Sequence, residues 1–562
     1  MKSLSFLVVT LIACAGTQEE TVKPPPSQTP TMAPPKKTTS GDVSFEVPVI
    51  DIKGTVLEPD AIARPGMPLV DAKRPIPLDK IGSPEWQRAV AKQRTQVAST
   101  KDPVQKQAQA AVLATMLYRE SKATKDKDKE KALLTDARQV LREVAQQAGD
   151  KAVDEITLRM LGSYELEPQL ADYPAAETAW RTLIEKDPKS KELTYNRAWL
   201  AYAQLKQFKN ADALATVSAD KVDDKQPELA YVTAWAKWRA RDNAAAWQAI
   251  SAAAKGWGQN ANRDELEANV LMFAGRAGVP LDQALPVLTM IAKDKAAAVK
   301  QTKHEQMLYE LVAKLGLSGY GLVGRWADGV AALDKAASIS GDAVPVNDRV
   351  VIRYSQADFT VRLDAPDAAA AFAKQAIEAI GPCGNKCTEK DKADIVQGIY
   401  LMGRLFHILF ATANDHRYYE PARDLYGLTI PLLSDASLKT QAQKDAKVLE
   451  TTVKNIKVGT GTHDKGALGA LLARHTPEIQ ACYEAVLGTN PKLGGTIKLD
   501  LESDETGAIK GAASEPKAGA SELPAVAECI VEHARQWKLP RRGMAGKTRI
   551  HASFSFSVAK RP

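Results

Sequence analysis

From residue 83 to about residue 457 the chain is rich in Ala, Leu, Lys, Gln and Glu, and its apolar residues recur at helical spacing. Stretches such as 104–121, 131–147 and 395–411 each carry an apolar stripe at i, i+3 and i+4, and short polar breaks separate them. A single amphipathic hairpin cannot bury such a stripe by itself. Stacking one antiparallel helix pair on the next does, so the pattern predicts a curved solenoid with a concave surface. A period is visible within it: Tyr173-Pro-Ala-Ala176 recurs as Phe208-Lys-Asn-Ala211 and, more weakly, as Asp242-Asn-Ala-Ala245.

That interval of about 34 residues is the spacing of tetratricopeptide repeats, which these units resemble. The clearest unit begins at Asp187-Pro188 and runs through Tyr195, Tyr202, Phe208 and Ala211. Another lies at 400–426, where Arg417-Tyr418-Tyr419-Glu420-Pro421-Ala422 spans the turn and the start of the second helix. The pattern departs from the family where one residue is inserted in the first helix, so the usual small position falls on Ala198 or on bulky Trp199. Units outside 173–250 are degenerate. The resemblance implies a protein-binding surface. The six tryptophans between Trp180 and Trp257 are expected to pack between repeats rather than to form an exposed strip.

The last hundred residues follow another rhythm. Residues 475–487 read as an amphipathic helix, and Gly495-Thr-Ile497-Lys-Leu499-Asp-Leu501 alternates with period two, as a half-buried strand does. A turn at Asp504-Glu-Thr-Gly507, a short strand at 508–512, a helix at 523–537 and a strand at 548–558 complete the order α-β-β-α-β. This segment resembles the AgmX/PglI C-terminal domain of myxobacterial envelope proteins, itself similar to the TonB C-terminal domain. The residues that carry the likeness are Glu478-Ile-Gln-Ala-Cys482-Tyr483-Glu484, Asn490-Pro491-Lys-Leu493-Gly-Gly495, Gly507, Cys529-Ile530, Trp537-Lys-Leu539-Pro540 and Phe554-Ser-Phe556. The resemblance implies an envelope setting, in motility or envelope-spanning assemblies. The expected fold class is therefore mainly α: a tetratricopeptide-like solenoid at 83–457, then a small TonB-like α/β domain at 463–562.

The N-terminus resembles a bacterial lipoprotein signal. Lys2 precedes an apolar run, Leu4 to Ala13, which ends at Cys14. About ten apolar residues are too few for a membrane span, which needs roughly twenty. Residues 1–13 are expected to be removed and Cys14 to be lipidated, anchoring the protein to the cell envelope. Ala15 after that cysteine favours the outer membrane, facing the periplasm. No later apolar stretch is expected to reach spanning length. Residues 14–80 hold Pro24-Pro25-Pro26 and Pro34-Pro35 and read as a Pro-rich linker. Within it Val43-Ser-Phe45-Glu-Val47-Pro-Val49 alternates like a strand, but Pro48 limits it to an edge. It is expected to be an extended arm docking on the next domain.

Four cysteines remain: Cys383, Cys387, Cys482 and Cys529. Four allow three disulfide connectivities, and domain placement favours Cys383 with Cys387 and Cys482 with Cys529. No metal or other cofactor is expected, because no His or carboxylate spacing completes a ligand set. The stretch from Arg535 to Arg549 is basic without an acid, which makes Arg541 and Arg542 candidate contacts for an anionic partner. The net charge of +7 over 562 residues is too dilute to argue for nucleic acid. No nucleophile elbow, phosphate loop or zinc-protease spacing appears, and His475 with Glu478 reads as an ordinary surface pair. The chain is thus expected not to be an enzyme. It reads as a lipid-anchored scaffold whose partners are other envelope proteins, with cell-wall binding or a peptidoglycan-acting enzyme as the alternative.

Overall fold

The computed structural model describes residues 42–59, 66–71, 77–149, 152–257, 263–298, 304–340, 345–455, 465–516, 523–541 and 546–559. Two compact units divide the chain: Glu58–Val270, and Leu271–Pro562 together with the N-terminal arm up to Leu57. The fold is mainly α with a small α/β domain, as the periodicity predicts.

In Glu58–Val270, helices follow one another from Pro84–Ser99 to Asn243–Trp257. Many start at a cap written in the sequence: Ser83, Asp102, Asp126, Asp154 and Asp172 each accept a hydrogen bond from a backbone N–H of the first turn. Trp180, Trp199, Trp235, Trp238, Trp247 and Trp257 are all buried, so they pack within the array and form no exposed strip.

One turn geometry punctuates both units. A residue with positive φ stands shortly before the second helix of a pair: Phe208 (φ 60) and Arg241 (φ 63) in the first unit, Gly278 (φ 72), Gly324 (φ 77) and Asp364 (φ 54) in the second. The N–H that follows each of them reaches back to the carbonyl five residues earlier. The pairs are Lys209 to Gln204 and Asp242 to Lys237 at 2.9 Å, and Val279 to Ala274, Arg325 to Tyr320 and Ala365 to Thr360 at 3.0 Å. This is the Schellman closure of a helix C-terminus, repeated at these five handovers from one helix to the next. Glycine suits the left-handed position, whereas other residues are strained there by about 1 kcal/mol. Gly278→Ala, whose new methyl would meet open space, is expected to lower stability by about 1 kcal/mol through backbone strain alone. Exposed Arg241→Gly should be neutral or slightly stabilising. Urea midpoints of the two variants check both signs.

In the second unit the helix Glu389–Ala413 is long and apolar enough to cross a membrane by length and composition. The expectation that no stretch after Cys14 reaches that threshold is therefore corrected. Its side chains explain the composition differently: Ile399, Tyr400, Phe406 and Phe410 are buried in a core shared with Leu425 and Tyr426. It is packed as a core helix is.

The terminal domain carries β3 (Gly495–Ser503) between two antiparallel neighbours, β4 (Ile509–Pro516) and β5 (Thr548–Val558). The remaining edge of β5 is taken by the N-terminal arm, as β1 (Val43–Glu46) and β2 (Ile50–Gly54), both parallel to it. Glu46 faces His551 and Ile50 faces Phe554, so Val47, Pro48 and Val49 span the same interval as Ala552 and Ser553 alone. The extra residue is a bulge, and Pro48, having no N–H to give the ladder, sits in it. The arm thus docks on the last strand of the chain rather than on the next domain. Val47 and Ile52 enter the terminal core beside Tyr483, Phe554 and Phe556. Gly54 makes the fit possible, because a Cβ there would come 2.4 Å from the ring of Tyr483.

Candidate functional site

All contacts in this section lie within the second unit. Its best-built polar site centres on Glu478, at the third position of the helix Thr476–Leu487. Oε1 of Glu478 accepts from the indole N–H of Trp326 at 2.8 Å, and Oε2 accepts from that of Trp537 at 2.5 Å. His475 Nδ1 lies 3.1 Å from Oε1, and its ring stacks on Trp537 at 4.2 Å. Arg362 covers the other indole, its guanidinium 4.3 Å from the Trp326 ring, and also donates to the backbone carbonyl of Arg474. The turn residue Gly324 presses against the Glu478 side chain.

Burial opposes ionisation of Glu478, yet the hydrogen bonds from His475 and Trp537 and the nearby imidazoles prevail and hold its carboxyl below the usual range. The sign follows by linkage. A carboxyl with a lowered folded pKa adds stability above its unfolded pKa and loses it as pH falls through the folded value. Chemically the node is a clamp. Both carboxylate oxygens are engaged, and His475 and Glu478 are buried rather than on the surface as the sequence suggested.

Glu484, two turns along the same helix, ties the arm down. Its Oε1 accepts from the Thr55 N–H at 2.9 Å and from Gln480 at 2.8 Å, and its other oxygen pairs with Arg276. Arm, terminal helix and the helix ending at Arg276 therefore meet on one carboxylate.

A second buried carboxyl behaves in the opposite way. Burial pushes Asp348 up to about 6, and the nearby Tyr309 hydroxyl only partly offsets it. A raised folded pKa means that the ionised form is disfavoured by the fold, so this group opposes folding at neutral pH and ceases to as pH falls towards its unfolded value. Asp348→Asn is expected to gain on the order of 1–2 kcal/mol at pH 7.5, shrinking towards zero near pH 4. Denaturation at a series of pH values measures this.

The structure joins Cys383 to Cys387 across a single turn, Cα atoms 5.7 Å apart. It joins Cys482 to Cys529 between the two helices that cover the terminal sheet, Cα atoms 5.8 Å apart. His533 follows Cys529 by one helical turn, and a nitrogen of its ring lies within 4.8 Å of both sulfurs. The sequence reading missed this neighbour; the i, i+4 spacing of Cys529 and His533 was the available signal. Arg541 is exposed, and its backbone N–H donates to Asp415 Oδ2 at 3.3 Å. Cys14 and Arg542 lie outside the described residues.

On the sheet's solvent face Ser44, His551 and Asp500 form a hydrogen-bonded row, with 2.9 Å from Ser44 Oγ to His551 Nε2 and 2.5 Å from His551 Nδ1 to Asp500. The order is that of a hydrolytic triad. However, His551 and Asp500 side chains are 45% and 50% exposed, so water competes for both hydrogen bonds. The dry, preorganised surroundings that give such a row its power are missing there. The row latches β1 to β5.

No family model matches the chain, and no curated protein matches it. Among solved structures, the TPR domain of P58(IPK) aligns over 66% of this chain and 99% of that one, at 13% identity and a TM-score of 0.18. That score is too low to argue from, and the description of the fold rests on the helix pairs and their turns.

Proposed function

We propose that the chain is an envelope lipoprotein that holds partner proteins at a set distance from a membrane. Cys14 would carry the lipid, the outer membrane would be the attachment surface, and the periplasm the working compartment. The terminal domain would act as an AgmX/PglI-type module, and other envelope proteins would be its partners. The observation that carries the reading is the pairing of β1 and β2 with β5. Through it, whatever fixes the N-terminus pulls first on the terminal α/β domain and not on the helix at Pro84. About 28 residues separate Cys14 from β1, and a chain of that length reaches at most roughly 100 Å at ~3.6 Å per residue. The helical array then supplies area for protein contacts.

Fractionation of cells making the wild type or Cys14→Ala tests this, with mass spectrometry of the mature N-terminus and crosslinking in the same cells. The wild type should be acylated, released from membranes only by detergent, and crosslinked to a reproducible set of envelope proteins that the variant loses. A non-acylated protein, or one that releases soluble products from cell-wall sacculi, would overturn it.

A further inference from the structure

We propose that Cys482, Cys529 and His533 form a redox-gated site for a soft, closed-shell metal cation of the zinc type. The three ligand-bearing groups converge with all their donor atoms within 4.8 Å of one another. Cys482 is buried on one helix, while Cys529 and His533 lie one turn apart on the facing helix and are half-buried. Thiolate and imidazole are the donors such a cation prefers, and a half-buried edge leaves its fourth position open to water.

In the oxidised protein the sulfurs are bonded to each other and the site does not exist. A dithiol reductant opens it by delivering two electrons and two protons to the sulfurs while itself closing to a disulfide. A divalent cation then displaces the two thiol protons to solvent and binds both thiolates and the neutral imidazole. Bonds of about 2.3 Å in tetrahedral geometry need sulfurs about 3.8 Å apart. Side-chain rotation accommodates that separation with the helices still packed, since their Cα atoms are already 5.8 Å apart. The terminal domain would thus exchange one crosslink between its helices for another, according to the redox state around it.

The test uses the full chain carrying Cys383→Ser and Cys387→Ser, so that no other described cysteine contributes. A phosphine reduces it; the phosphine becomes its oxide with oxygen from one water, whose two protons go to the sulfurs. Cobalt(II) serves as the spectroscopic probe, and zinc as its competitor. One cobalt per reduced chain should give a thiolate-to-metal charge-transfer band that zinc abolishes, and the oxidised chain should give none. His533→Ala should weaken binding at least tenfold, while His551→Ala should leave it unchanged. Absence of the band, equal affinity in His533→Ala, or loss of the helical circular dichroism on reduction would each overturn the proposal.

Discussion

Gly324→Ala is expected to destabilise the second unit by more than about 3 kcal/mol. Two costs add. The residue sits at φ 77, where an L side chain is strained by about 1–2 kcal/mol. Its Cβ would also fall 1.8 Å from Cγ of Glu478, so one of the two must move. Glu478 has nowhere to go without releasing the indole N–H groups of Trp326 and Trp537, and each buried donor left unpaired costs about 1–3 kcal/mol. Gly278→Ala has the same left-handed backbone and no clash, so the difference between the two variants isolates the clamp. Comparable losses for both would mean that Glu478 is free to move. The clamp should also make the unit acid-labile, because protonating Glu478 removes the charge that its donors stabilise.

Ile52→Asp should detach the arm. Ile52 is fully buried, and its replacement would place a carboxylate in the core lined by Tyr483, Phe554 and Phe556. Burying an unpaired charge is far more costly than leaving β2 undocked, so the arm comes off before the domain unfolds. The loss of global stability is therefore capped at the docking energy of the arm, while local protection collapses. Hydrogen exchange at 548–558 should rise by at least a hundredfold on the amides that face the arm, and trypsin should cut at Lys53. Unchanged exchange would show that β5 does not depend on its N-terminal neighbour.

What the sequence disclosed follows from the range of the interactions. Helix pairs and the α-β-β-α-β order are local, and their spacing shows in any window of a dozen residues. The arm showed its alternation and its proline, hence a strand at an edge. Nothing in Val43-Ser-Phe45-Glu-Val47 says that its partner is Thr548–Val558, because register across the whole chain is set by which edge is left open. Glu478 was visible with His475 as a helix-surface pair, but Trp326 approaches it from the start of a helix 152 residues away. The glycine and arginine around that tryptophan carry no sequence signature of a carboxylate. The left-handed turns were half legible: Gly278 and Gly324 are the usual residues there and Asp364 tolerates it, whereas Phe208 and Arg241 occupy the same position against their preference.

Pairing of the N-terminal arm with β5 is what joins residues 43–54 to the terminal domain, and engineered cysteines measure it directly. Lys53 and Ser557 face each other across β2 and β5, and both are exposed. In full-length protein with Cys14→Ala, the pair Lys53→Cys and Ser557→Cys should crosslink rapidly under mild oxidation. The pair Asp51→Cys and Ser557→Cys, two residues out of register, should crosslink far more slowly. Equal rates for the two pairs, or no crosslink in either, would contradict the closed sheet and the docking of the N-terminal arm on the terminal domain.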